Sequence, residues 1–217
     1  MIYKYTYLMA VGYKAVKLDE MGRMYYKDQP YLDRQYYTVN ETTERTMEGL
    51  YYSTTLTDVN ECHYGLDNPE TRIIKVKAIG DFSVKYDRNI TDRLHVIGLL
   101  DGEIIERGII FQFRNGQLHC DSGPAIKNLY NTENRGRKEY QPEPFGTRDF
   151  HRWHYPRYVY FNVIECWYAN SKLHRVGGPA VTYCDESTEW YIDDVKIPPT
   201  ANKLIRIAPS ILSADFS

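Results

Sequence analysis

Hydrophobic and polar positions alternate along most of this chain in short runs cut by Gly, Pro, Asn and Asp. That rhythm belongs to strands joined by tight turns. Tyr3, Tyr5 and Tyr7 share one face at period two, and residues 1–18 read as two strands broken near Gly12. Residues 23–26 and 31–39 flank Asp28-Gln29-Pro30, a hairpin. Residues 40–48 are polar and read as a loop, and Gly49-Leu50-Tyr51-Tyr52-Ser53 follows as a short strand. A single helical pattern covers residues 54–65: Thr54 or Thr55 caps it, Leu56, Val59 and His63 form a stripe, and Gly65 stops it. Residues 72–79 form a strong strand with Ile74, Val76 and Ala78 on one face. Residues 81–92 read as a loop around a short strand at Phe82-Ser83-Val84. Asp101-Gly102, between residues 94–100 and 103–113, carries the clearest hairpin signal in the chain.

The second half repeats itself. Asn115-Gly116-Gln117-Leu118-His119 leads to Gly123-Pro124-Ala125, and Asn170-Ser171-Lys172-Leu173-His174 leads to Gly178-Pro179-Ala180. The shared frame is Asn-x-x-Leu-His-x-x-x-Gly-Pro-Ala. Asn-Gly or Asn-Ser tolerates the positive φ of a two-residue hairpin turn, and Gly-Pro makes the next bend. Aromatic strands, Phe111-Gln112-Phe113 and Trp167-Tyr168, precede the two turns, and Trp190-Tyr191-Ile192-Asp193-Asp194 opens a third, degenerate copy. Such units bury a face only by stacking on neighbours. The expected fold is α+β and β-dominated. A Tyr-rich N-terminal sheet with one short helix (1–102) continues into an antiparallel hairpin meander (103–200). An insertion at 128–156 interrupts the meander, and a tail runs over 201–217.

Composition narrows the function classes. Lys plus Arg (27) nearly balances Asp plus Glu (29), a net charge of -2, which argues against a wholesale nucleic-acid or membrane binder. The 21 tyrosines fit strands with half-exposed aromatic faces. Cys62, Cys120, Cys166 and Cys184 show no metal-type spacing, and neither a leader nor a membrane-spanning run is apparent. The expectation is a cytoplasmic protein with reduced thiols, no metal and no membrane partner. His119 and His174 hold equal repeat positions, and a repeated His reads first as a repeated structural hydrogen bond. No Walker loop, dinucleotide fingerprint, zincin or nucleophile-elbow motif is present.

Three stretches carry resemblances. Gly12-Tyr13-Lys14-Ala15, the Gly49–Ser53 strand running into the helix, and a Val-rich strand ending Gly80-Asp81 resemble an uncharacterised domain of phage and prophage proteins. The repeat frame is similar to "N-G-x-L-H-R-x-x-G-P-A" repeats in proteins of large DNA viruses and phages. Both imply an accessory interaction protein, in a host cytoplasm, engaging a host protein or a small signalling ligand, without a cofactor. The same N-terminal order also resembles ADP-ribosyltransferases. That likeness implies NAD as co-substrate, with Tyr13 or Lys14, then Tyr51, Tyr52 and Ser53, at the nicotinamide, and Glu103 or Glu106 as the carboxylate on the ribose. The helix that follows the first strand in those enzymes is missing. The tail, residues 207–216, resembles the first strand and loop of ribulose-phosphate 3-epimerases, over far too little chain for their barrel.

One further stretch interleaves bases with aromatics. Arg148, Arg152, Trp153, His154, Arg157 and Tyr158 form a candidate binding surface, for a protein partner or for single-stranded nucleic acid by stacking and phosphate pairing.

Overall fold

The computed structural model describes residues 11–26, 35–44, 49–59, 65–85, 88–129 and 163–200. The protein is β-dominated and its strand pairs are antiparallel. It divides into two compact units: residues 1–102 with 114–117, and residues 103–113 with 118–217.

In the first unit, β1 (Val11–Leu18), β2 (Met24–Tyr26), β3 (Gln35–Tyr37), β4 (Thr42–Glu44), β5 (Leu50–Tyr52), β6 (Thr71–Lys85) and β7 (Arg88–Leu99) form one sheet. Its order is β3-β2-β1-β6-β7-β4, and β5 also pairs with β7. The sheet curls back on itself. Tyr13 N–H donates to the Ser53 carbonyl at 2.7 Å, and Ser53 N–H returns to the Tyr13 carbonyl at 2.9 Å. That bridge closes a ring through β1, β6, β7 and β5. The buried core of this unit gathers Val16, Met24, Tyr26, Tyr37, Leu50, Tyr52, Ile74, Val76, Ala78, Leu94 and Val96. The expected Ile74, Val76, Ala78 face is among them.

Several expectations for this unit change. Val11–Leu18 runs unbroken through Gly12, so that glycine serves a close approach and not a break. A Cβ there would lie 2.7 Å from the Tyr52 ring and closer still to the Ser53 carbonyl. The polar segment after Asn40 supplies β4, which pairs Thr42–Glu44 with residues 93–95 of β7. β6 continues into the expected loop, to Lys85. It bends at a bulge between Ile79 and Phe82, where Gly80 takes φ +90° against the Asp92 carboxylate. The helix α1 spans only Leu56–Val59 among the described residues, with Leu56 and Val59 buried and Val59 N–H bonded to the Thr55 carbonyl. Asp101-Gly102 joins no hairpin: β7 is already paired to strands of its own sheet, and β8 (Gly102–Glu106) pairs with β9 (Ile109–Arg114). The turn there is Arg107-Gly108, with φ of 47° and 71°.

The second unit is a series of hairpins. β9 turns at Asn115-Gly116 into β10 (Gln117–Leu118), and β11 (Ile126–Asn128) pairs back onto β9. β12 (Val163–Cys166) pairs with β11 and with β15 (Val181–Tyr183), which pairs with β16 (Thr188–Glu189). β13 (Tyr168–Ala169) and β14 (Lys172–Leu173) form the second hairpin, β17 (Tyr191–Ile192) and β18 (Val195–Lys196) the third. All three turn pairs have both residues at positive φ: Asn115 51° and Gly116 75°, Asn170 52° and Ser171 58°, Asp193 49° and Asp194 66°. That is the backbone two-residue hairpins demand. The degenerate third copy is therefore a true copy in three dimensions.

Equivalent bonds recur across the copies. The residue after each hairpin closes it: His119 N–H to Gln112, His174 to Trp167 and Ile197 to Trp190, at 3.0, 2.9 and 2.9 Å. The second turn residue then clasps the leucine before it. Ser171 N–H donates to the Leu118 carbonyl at 2.8 Å, while the Ser171 hydroxyl accepts from Leu118 N–H at 3.0 Å. Asp194 does the same to Leu173, at 3.0 Å through its N–H and 2.6 Å through its carboxylate. Within the first unit, Gly116 N–H donates to the Leu100 carbonyl at 2.7 Å, the same bond one step earlier.

Candidate functional site

The two N-terminal motif segments, far apart in sequence, meet in the first unit. Alternation along β1 turns Gly12, Lys14 and Val16 to the interior, and alternation along β5 does the same for Leu50 and Tyr52. Because Gly12 has no side chain, the Tyr52 ring and the Ser53 carbonyl come right up to the β1 backbone. Lys14 is 5 % exposed, a cation carried into a largely apolar core. Its ammonium donates to the Tyr51 carbonyl at 2.7 Å and stands over the Tyr26 ring at 3.9 Å, with the Tyr37 ring at 5.5 Å. A buried charge is costly unless such partners take up the field.

Tyr52 completes the arrangement. It is 4 % exposed, its hydroxyl has no hydrogen-bond partner, and burial pushes its ionisation upward, so it stays a neutral phenol. Lys14, Tyr26, Tyr51, Tyr52, Ser53 and Val59 line a small pocket there, with Tyr13 and Ala15 beside them. Its free space is about 20 Å³, room for one oxygen-sized group.

Of the residues expected at a nicotinamide, Tyr13, Lys14, Tyr51, Tyr52 and Ser53 are thus brought together. Tyr13 and Ser53 are joined by their main chains, which is a structural use. Glu103 belongs to the second unit, where its carboxylate accepts from the Gln112 amide at 2.7 Å. Glu106 lies on the same strand, β8. Tyr26 and Tyr37, the rings around Lys14, were not singled out from the sequence. Their clue was the alternation of Met24 and Tyr26 on a Tyr-rich strand.

Arg148, Arg152, Trp153, His154, Arg157 and Tyr158 lie outside the described residues, as do the 201–217 tail and most of the 128–156 insertion. The repeated histidines have structural work. His119 accepts Asn170 N–H on Nδ1 at 3.1 Å and pairs with Asp121 through Nε2 at 2.9 Å; His174 Nδ1 meets Asp193 at 2.9 Å. Among the described residues no group of His, Cys, Asp and Glu is placed to hold a metal, and Cys120, Cys166 and Cys184 form no disulfide with one another. No helix among them is long and apolar enough to cross a membrane.

A second polar cluster sits at the last hairpin. Glu189 Oε2 accepts from both the Tyr183 and Tyr191 hydroxyls at 3.0 Å, and Oε1 from the Lys196 ammonium. The Lys196 bond, followed by the two phenols, holds Glu189 below the usual carboxylate range against partial burial. Burial and the bond to Glu189 push both phenols up.

Comparison with known proteins finds no match: no family model, no curated protein and no solved structure is similar to this chain.

Proposed function

We propose that this chain is an accessory binding protein of viral or prophage origin, acting in a host cytoplasm by engaging a host protein or a small ligand. The origin and the compartment rest on the likeness of the repeat frame to viral and phage repeats. The observation that favours binding over transferase chemistry is the size of the site where the two N-terminal motifs meet. Sites for whole small-molecule ligands run to about 300–1,000 Å³. The free space here is about 20 Å³, and Tyr13 and Ser53 are committed to the bridge that closes the sheet.

The test uses the full chain. Incubated with labelled NAD and host lysate, it is expected to transfer no label to itself or to any other protein. Immobilised, it is expected to retain a partner that free chain displaces in a dose-dependent way. Label transfer that depends on Glu103 or Glu106 would overturn the reading in favour of the transferase.

A further inference from the structure

We propose that the third hairpin is a stop: it closes the ladder against a further hairpin and keeps its end from pairing with a second copy of this chain. Each of the first two hairpins offers the next the same three main-chain groups. In the second, the bond from His174 N–H to the Trp167 carbonyl makes Tyr168 and Leu173 the pair whose N–H and C=O groups turn away from the hairpin. Leu173 N–H is then taken by the Asp194 carboxylate, and its carbonyl by Asp194 N–H. Two residues on, Arg175 N–H donates to the Tyr191 carbonyl at 3.1 Å. The first hairpin does the same through Leu118 and through Cys120, whose N–H donates to the Tyr168 carbonyl at 3.3 Å.

The third hairpin keeps this register and changes the residues. Ile197 N–H bonds the Trp190 carbonyl, so Lys196, opposite Tyr191, stands where Leu118 and Leu173 stand. Its N–H and carbonyl turn outward as theirs do, and no described residue bonds either. Such a bare edge is a template for another strand. Two residues blunt it. Pro198 occupies the position of Cys120 and Arg175, and proline has no N–H, so the third bond cannot form. Lys196 replaces the apolar side chain that a next hairpin would cover: Leu118 is fully buried, Leu173 is half-buried and Lys196 is exposed. Its ammonium is held on this edge by Glu189, which also accepts from the Tyr183 and Tyr191 hydroxyls. The same edge of a second copy would bring its own Lys196 directly opposite, like charge against like. Stacked repeats stay soluble when the terminal unit presents such a polar outer face. This assignment goes beyond the binding reading and removes the ladder end from the places where a partner could add a strand.

The experiment compares sedimentation and amide exchange of the full chain, native and with Lys196→Leu and Pro198→Arg together, which restores the second hairpin's residues at both positions. In the native chain the amides of Leu118 and Leu173 are expected to be protected and that of Lys196 to exchange freely. The paired variant is expected to gain a concentration-dependent rise in sedimenting mass that the native chain lacks. Exchange at position 196 is expected to slow about tenfold with it, the protection that one main-chain hydrogen bond adds. Pro198→Ala restores only the N–H, at an exposed position, and covers the case in which the paired variant fails to fold; it is expected to show the same gain at higher concentration. A folded paired variant that sediments as the native chain does would overturn the assignment, as would an unchanged Pro198→Ala where the paired variant does not fold. So would association that leaves position 196 unprotected, or a native Lys196 amide as protected as that of Leu173.

Discussion

The two units solve the same problem, closing a β-structure around a core, by opposite routes. In the first, strands distant in sequence must find one another: β1 pairs with β6, and β7 receives both β4 and β5. The closing bond joins Tyr13 to Ser53. In the second, each hairpin forms from adjacent residues and is then held by the turn of the next. A closed sheet of distant strands gains its stability all at once, and damage to its seam reaches every strand. A ladder of hairpins gains stability step by step, as a sum of units and nearest-neighbour contacts. The polar residues follow the same division. In the first unit Lys14 and Tyr52 are buried, whereas in the second Ser171, Asp194, His119 and His174 fasten one hairpin to the next.

The sharpest break of this contrast is Gly12→Val. A side chain there has no room against the Tyr52 ring and the Ser53 carbonyl, so the seam must open. The expected loss is about 3 kcal/mol or more, read from urea unfolding. Next comes Leu118→Ala, which empties a fully buried site in the ladder and is expected to cost roughly 3 kcal/mol. The equivalent Leu173→Ala, at a half-exposed position, is expected to cost less than half as much. Ser171→Ala removes the hydroxyl that receives Leu118 N–H and is expected to cost about 1–2 kcal/mol, with Ser171→Asp, the residue of the third turn, recovering part of it.

The smallest effect is in pH. The folded form holds Glu189 below its ordinary value, through the Lys196 bond first and then the two phenols. Its contribution is therefore complete above the unfolded value, 4.5, and is lost as pH falls through the depressed folded value. Thermal midpoints from pH 6 down to 3 are expected to fall more steeply for the native chain than for Glu189→Gln.

What the sequence made legible follows the same division between near and far. The turns at Asn115-Gly116, Asn170-Ser171 and Asp193-Asp194 were readable because positive φ is a property of two adjacent residues. The Ile74, Val76, Ala78 face was readable because period two survives over a long strand. Asp101-Gly102 misled for the converse reason: Gly102 does take positive φ, at 81°, but β7 was already paired to its own sheet. Gly12 was read as a break and Gly80 as a strand end, and both sit inside continuous strands where another group approaches closely. β4 was hidden in polar residues because its pairing with β7, and not its own burial, makes it a strand. At the candidate site, Tyr13, Lys14, Tyr51, Tyr52 and Ser53 were on the page from their motifs. That they meet, with Tyr26 and Tyr37 around the lysine, depended on a closure that no local pattern encodes.

Amide hydrogen exchange on Gly12→Ala and Ser171→Ala, side by side with the native chain, tests the contrast most directly. Gly12→Ala is expected to speed exchange at Tyr13 and Ser53 and, with them, at the buried amides of β6 and β7. Ser171→Ala is expected to speed exchange at Leu118 and its clasp alone, leaving His174 and Ile197 protected. Local loss in the first variant, or loss across every hairpin in the second, would contradict the account.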